Sequence, residues 1–191
     1  MISGLQWLEP TLASTMQKRP LSRITVRRRP GDASRGWLIA GMLNVPVALG
    51  RNGIKANKRE GDGGTPRGHF RARRLWWRAD KHLRPATALP AQRISPDDGW
   101  CEDPSDRHYN RPIKLPPNSK GDRLTRKDHL YDFIVEIDHN TRPRVAGRGS
   151  AVFVHVARAN FAPTAGCVAL RLDALRRLLA RLGPRTRIVI E

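Results

Sequence analysis

Two residues of this chain could carry out acyl transfer together: Cys167, and His155 twelve positions before it. A thiolate is a strong nucleophile, but a free thiol is mostly protonated at neutral pH and needs a base within hydrogen-bond reach. Each residue alone has a plainer reading. His155 lies in Val152-Phe153-Val154-His155-Val156, where a core histidine bonded to a backbone carbonyl would fit. Cys167 lies in Ala165-Gly166-Cys167-Val168-Ala169, a setting typical of inert buried thiols. Taken together they read differently. A strand carrying His155, an eleven-residue connection and a strand beginning at Cys167 can run side by side and bring imidazole to thiol. Gly166 lets a substrate carbonyl approach the backbone, so the N–H groups of Gly166 and Cys167 are the candidate oxyanion donors. No acidic residue stands between Asp138 and Asp173, whereas Arg142, Arg144, Arg148, Arg158 and Arg171 do. An electropositive setting of that kind lowers a thiol pKa and attracts a carboxylate. It also leaves a backbone carbonyl as the expected partner that orients His155.

The pair must be held by strands. Ile24–Arg28, Trp37–Ala40 and Leu43–Leu49 read as strands from their alternation, with Pro46 marking an edge or a bulge. Residues 50–64 read as a glycine-rich loop without the Gly-Lys-Ser/Thr ending of a phosphate-binding P-loop. A strand is expected through Trp77, then at Tyr131–Asp138, Ala151–Val156, Cys167–Leu170 and Arg185–Ile190. Leu172, Leu175, Leu178, Leu179 and Leu182 form an apolar stripe at helical spacing, which Gly183 and Pro184 would end. Residues 79–128 are proline-rich and aperiodic, and are expected to be an irregular insertion or lid anchored by Trp76, Trp77 and Trp100. Residues 1–21 are expected to be a poorly ordered extension, with one catalytic domain over 22–191.

The His-bearing strand followed by Thr164-Ala165-Gly166-Cys167 resembles the signature of the L,D-transpeptidase (YkuD-type) catalytic domain. Thr65-Pro66-Arg67-Gly68-His69-Phe70 resembles that family's Thr-Pro-x-Gly-x-aromatic element. The chain departs from the pattern at Ala165, where many members have His, and at Ala169, where many have Arg. The resemblance implies a mainly β fold, a sandwich or barrel with one C-terminal amphipathic helix. It implies that Cys167 attacks a peptidoglycan stem peptide, that His155 serves as base and then acid, and that no cofactor or metal takes part. Thr164, Arg158 and Arg171 are the candidate substrate-binding residues, Arg171 standing in for the arginine absent at 169. It also implies the periplasm or cell envelope. Residues 1–12 carry Glu9 and Pro10 and show no secretory signal, which leaves the cytoplasm open.

Composition sets the rival readings. Lys+Arg is 36 and Asp+Glu 17, a net charge of +19, which favours polyanionic partners. A GC-rich genome could produce the same arginine bias with no binding role. No recognition helix or aromatic RNA-binding signature is present, so no specific nucleic-acid reader is expected. No apolar run is long enough to span a membrane. The scattered histidines show no metal-ligand spacing. Two cysteines are too few for a disulfide framework, and a bridge between Cys101 and Cys167 would consume the nucleophile. An L,D-carboxypeptidase using the same Cys–His pair and a non-enzymatic basic module binding wall or nucleic acid both stay open, as does the oligomeric state.

Overall fold

The computed structural model describes residues 19–116 and 121–191. Most of the expected extension therefore lies outside the described residues. Pro20 and Leu21 do not: the Leu21 N–H donates to the Arg181 carbonyl at 2.8 Å, and Thr186 donates its hydroxyl to the Leu21 carbonyl at 2.7 Å.

The chain folds mainly as β-structure. In order the elements are β1 (Arg23–Arg29), β2 (Asp32–Ala40), β3 (Leu43–Ala48), β4 (Ile54–Lys55), β5 (Thr65–Pro66), β6 (Gly68–Trp77), β7 (Ala91–Arg93), β8 (Asp98–Trp100), β9 (Pro112–Lys114), β10 (Asp122–Arg123), β11 (Phe133–Ile137), β12 (Phe153–Val156), β13 (Val168–Leu170), α1 (Leu172–Leu179) and β14 (Arg187–Ile190). The principal sheet runs β11-β12-β13-β3-β2-β1-β14-β6, and β6 pairs back onto β11 to close it. Closure pairs most strand edges, while the outer edge of β3 before Ala48 stays open. β7 continues the β6 edge beyond the point where β14 ends.

Alternation decides what fills the two sides. Val152, Val154 and Val156 turn into the main core with Val168, Leu170, Phe133, Val135, Leu75 and Trp77. α1 buries Ala174, Leu175, Leu178 and Leu179 in the same core. The helix stops three residues short of the expected Leu182. Its last turn tightens, with Arg181 N–H donating to Leu178 and Leu182 N–H to Leu179. Gly183 is not a left-handed cap; a Cβ there would meet Pro20 at 2.9 Å, so close packing requires the glycine. Pro46 is tolerated in β3 because the only pairing to β13 is at Ala48, which leaves the outer edge of Pro46 unpaired.

The other face of β6, β11, β12 and β13 carries a second apolar cluster: Trp76, Ile134, Phe153 and Cys167, covered by Ile94, Trp100, Leu124 and Ala151. Most of the cover comes from residues 79–128. That segment is not structureless: it holds β7 and a three-stranded sheet in the order β10-β8-β9. Trp76 and Trp100 anchor it, while Trp77 belongs to the main core.

Candidate active site

The thiol is positioned by two parallel strands. β12 and β13 pair Val154 with Val168 and His155 with Ala169. Side chains two apart share a face, so Cys167, Ala169, Phe153 and His155 all point outward toward the lid. The offset between Cys167 and His155 is one step across and two along, about 8 Å between Cα atoms, within the combined reach of an imidazole and a thiol. Both residues are buried.

His155 Nδ1 lies 2.8 Å from the Val156 carbonyl. A carbonyl can only accept, so Nδ1 carries the proton and Nε2 keeps its lone pair. The orienting partner is thus a backbone carbonyl, as the acid-free stretch predicts. The thiol is turned elsewhere at rest. Cys167 Sγ donates to the Ala151 carbonyl at 3.2 Å and accepts from the Phe153 N–H at 3.4 Å. Ala151 sits at φ 49°, an uncommon conformation for a residue with a Cβ, and it aims that carbonyl at the sulfur.

The electrostatics differ from the sequence-based expectation. Burial pushes the Cys167 thiol up to about 12, and the Asp122 and Glu102 carboxylates add to the rise, which the Phe153 N–H and the Lys58 ammonium oppose. Burial also pulls His155 down to about 4, against the bond to Val156. The stretch around Cys167 is free of acids in sequence but not in space, because the lid brings Asp122 and Glu102 over it. At rest the thiol and imidazole are both neutral rather than an ion pair.

The glycine-rich loop builds the turn in front of Cys167. Gly50 and Thr164 form a parallel bridge, with Arg51 N–H donating to Thr164 O and Thr164 N–H to Leu49 O. Thr65, fully buried, accepts from the Gly50 N–H at 2.8 Å, which gives the Thr-Pro element a structural role. A Cβ on Gly166 would lie 2.8 Å from the Gly64 carbonyl, so only glycine allows this approach. Thr164 Oγ1 accepts from the Gly166 N–H at 3.1 Å and donates to the Cys167 carbonyl at 2.7 Å. The Gly166 N–H is therefore engaged by Thr164 rather than free for an oxyanion, and the Thr164 hydroxyl shapes the turn. Arg158 and Arg171 are exposed and line a cleft of about 640 Å³ beside Asp128, His129, Val156 and Asp173.

Several contributors carry no sequence signal. Lys58 is buried, donates to Asp62 at 2.7 Å, and stands with its stem against Gly149 and Gly166. Burial alone would raise the Asp62 carboxyl, but Lys58 and the N–H groups of Arg59 and Gly64 hold it down at about 2. Tyr131 meets His155 edge-on, with ring centroids 5.4 Å apart, and donates its hydroxyl to Asp122. Asn110 ties the lid to the site: its amide oxygen accepts from Trp100 Nε1 and the Ala151 N–H, and its nitrogen donates to the carbonyls of His139 and Asn140. Among the described residues no group of three or more His, Cys, Asp or Glu side chains could hold a metal ion. None of the described helices is long and apolar enough to cross a membrane. Cys101 and Cys167 are both free thiols.

Compared with known families, residues 33–190 match the model of the L,D-transpeptidase catalytic domain, YkuD. Neither the curated proteins nor the solved structures gave a match.

Proposed function

The chain belongs to the L,D-transpeptidase catalytic domain family, and on that basis we propose that it is a cysteine acyltransferase of the cell envelope acting on peptidoglycan stem peptides. One observation carries the reading. Cys167 and His155 share a face on paired strands, with the imidazole proton fixed on Nδ1 by Val156 and the Nε2 lone pair left as a base.

The resting state dictates the order of events. A thiol near 12 and an imidazole near 4 do not exchange a proton spontaneously. Proton transfer must accompany attack. Sγ turns from the Ala151 carbonyl, passes its proton to His155 Nε2 and bonds to the substrate carbonyl carbon. The Phe153 N–H, already on the sulfur, stabilises the developing thiolate. The Cys167 N–H is the candidate donor to the oxyanion; the Gly64 carbonyl already packs against Gly166, whose own N–H would first have to leave Thr164. The C–N bond then breaks and the leaving amine takes the proton from Nε2. An incoming amine attacks the thioester carbon as Nε2 takes its proton; the C–S bond breaks and Sγ recovers that proton from Nε2, restoring the neutral thiol and imidazole. Water in place of that amine would make the carboxypeptidase. Arg158 and Arg171 are proposed to bind substrate carboxylate from their cleft.

The test is incubation with a disaccharide-tetrapeptide followed by mass spectrometry. An acyl adduct on Cys167, with a cross-linked dimer or a tripeptide, is expected. Cys167→Ala should lower turnover by at least about 1,000-fold while the protein stays folded. Undiminished turnover in that variant would remove Cys167 from the mechanism.

A further inference from the structure

A second cavity, of about 420 Å³, opens where residues 81–86 pass the middle of α1. Lys81, His82, Arg84, Pro85, Phe133 and Arg176 line it. Three of these are cations, and no acidic residue lines the cavity. Phe133 is the surface on which the basic side chains are arranged. The His82 ring stacks on it with centroids 4.9 Å apart, and the Arg176 guanidinium lies 5.5 Å from the same ring centre. These two covering side chains meet, with Arg176 Nη2 donating to His82 Nδ1 at 3.0 Å. A guanidinium can only donate, so Nδ1 accepts and Nε2 donates to Asp132 at 2.7 Å.

The carboxylate that holds this wall does not neutralise the cavity. Asp132 is 2 % exposed, and besides His82 it takes His129 Nδ1 at 2.9 Å and Lys81 Nζ at 3.5 Å. Its one charge is shared three ways. Arg84 and Arg176 are exposed, and among the described residues neither pairs with an acid. Arg176 is nevertheless held, by Phe133 under its face and His82 at its edge. Its remaining N–H groups are presented with little ordering left to do. A fixed guanidinium fork with open donors is what an oxyanion site requires. The cavity also adjoins the cleft of Arg158 and Arg171. His129 in that cleft and Lys81 in the cavity come within 3.4 Å of each other. Leu172 in the cleft and Arg176 in the cavity are about one helical turn apart, roughly 6 Å along the axis.

We propose that this cavity is an oxyanion-binding site, built on Arg176 and Arg84 with Lys81 beside them, and that the anion it takes is a carboxylate of the stem-peptide polymer. The oxyanion site stands on the cavity and its contacts; the stem as its source rests on the acyltransferase reading. On that reading a stem lies along α1, with one carboxylate in the cleft of Arg158 and Arg171 and a second against Arg176. The site then selects acidic stems over amidated ones. Amidation removes the charge and turns an amide N–H₂ toward groups that can only donate.

The full chain is titrated with inorganic phosphate at constant pH and ionic strength while histidine ring C–H resonances are followed by NMR. A saturable shift at His82 is expected, with none at His69, which lies on β6 outside the cavity. Arg176→Gln and Arg84→Gln should each weaken binding about tenfold. Arg84 is exposed, so Arg84→Gln tests the site even where Arg176→Gln disturbs the packing on Phe133. A His82 shift that never saturates, or that is the same in the parent and in Arg84→Gln, overturns the oxyanion site. Donor kinetics then decide the source. For a free-carboxylate stem, Arg84→Gln should raise KM about tenfold at nearly constant kcat, and for the amidated form it should leave KM unchanged. An unchanged KM for both stems, with phosphate still bound by the parent, removes the stem as the source. Displacement of phosphate by a glycerol-phosphate oligomer but not by the acidic stem does the same. Absence of a Cys167 adduct in the parent overturns the acyltransferase reading, while the phosphate titration still decides the oxyanion site.

Discussion

His155 keeps its imidazole neutral by being buried, and that has a measurable consequence for stability. The unfolded chain binds a proton at this residue below about 6.5, whereas the folded chain resists it until about 4. The unfolded state thus holds more protons between these values, so stability rises with pH across the window and is lost as pH falls through it. A difference of that size corresponds to about 3 kcal/mol. Chemical denaturation at pH 7, 5 and 4 should show His155→Gln losing less stability on acidification than the parent, by an amount of that order. Parallel slopes would mean that the imidazole titrates normally. His155 and Cys167 could be proposed from the sequence because a candidate nucleophile and a candidate base must be particular residue types. The Ala151 carbonyl and the Phe153 N–H were not, because every residue has a carbonyl and almost every residue an N–H. The lowered thiol pKa expected from the local arginines fails for a related reason. Burial of the thiol is the largest cause, and charges act through space: the acids that add to it are 45 and 65 residues away in the chain, at Asp122 and Glu102.

At the scale of elements, the strand expected over Ala151–Val156 forms at Phe153–Val156, read from its apolar run, and the helix beginning at Leu172 could be read because helical spacing records which side is buried. The lid could not. Its strands Asp98–Trp100, Pro112–Lys114 and Asp122–Arg123 are too short to show a period. They are held by tertiary contacts, chiefly Trp100 edge-on to Phe153 at 5.0 Å and the bonds of Asn110. Strand order was also hidden, since β1 pairs with β14 from the far end of the chain. Asn110 is 4 % exposed and adopts φ 54°, which asparagine tolerates better than most residues. Asn110→Ala would leave Trp100 Nε1 and the Ala151 N–H buried without acceptors and place an alanine in a left-handed conformation. A loss of about 2–4 kcal/mol follows. Hydrogen exchange should show protection falling across residues 91–116 and around Ala151 while β1, β2 and β14 keep theirs. A uniform loss over the whole barrel would show instead that lid and barrel unfold as one unit.

For the whole molecule, the excess of 36 basic over 17 acidic residues acts at a distance that the proposed catalytic pair does not use. Exposed charges are screened over about 10 Å at 0.1 M salt, so attraction to an anionic polymer must weaken as salt rises. The pair behaves differently. Thiol and imidazole rest neutral in a buried cluster, where bulk ions neither reach them nor find a charge to screen. Salt should therefore separate capture from chemistry. Raising sodium chloride from about 50 to 300 mM is expected to weaken binding to isolated wall polymer at least about tenfold. Turnover of a short, uncharged-terminus stem analogue should change less than about threefold over the same range. The basic-module reading gives a different pattern, because binding would then be the whole activity and Cys167→Ala would leave everything measurable unchanged. Equal salt sensitivity of polymer binding and small-substrate turnover would place the charge field inside the reaction itself. That outcome would contradict a neutral resting pair.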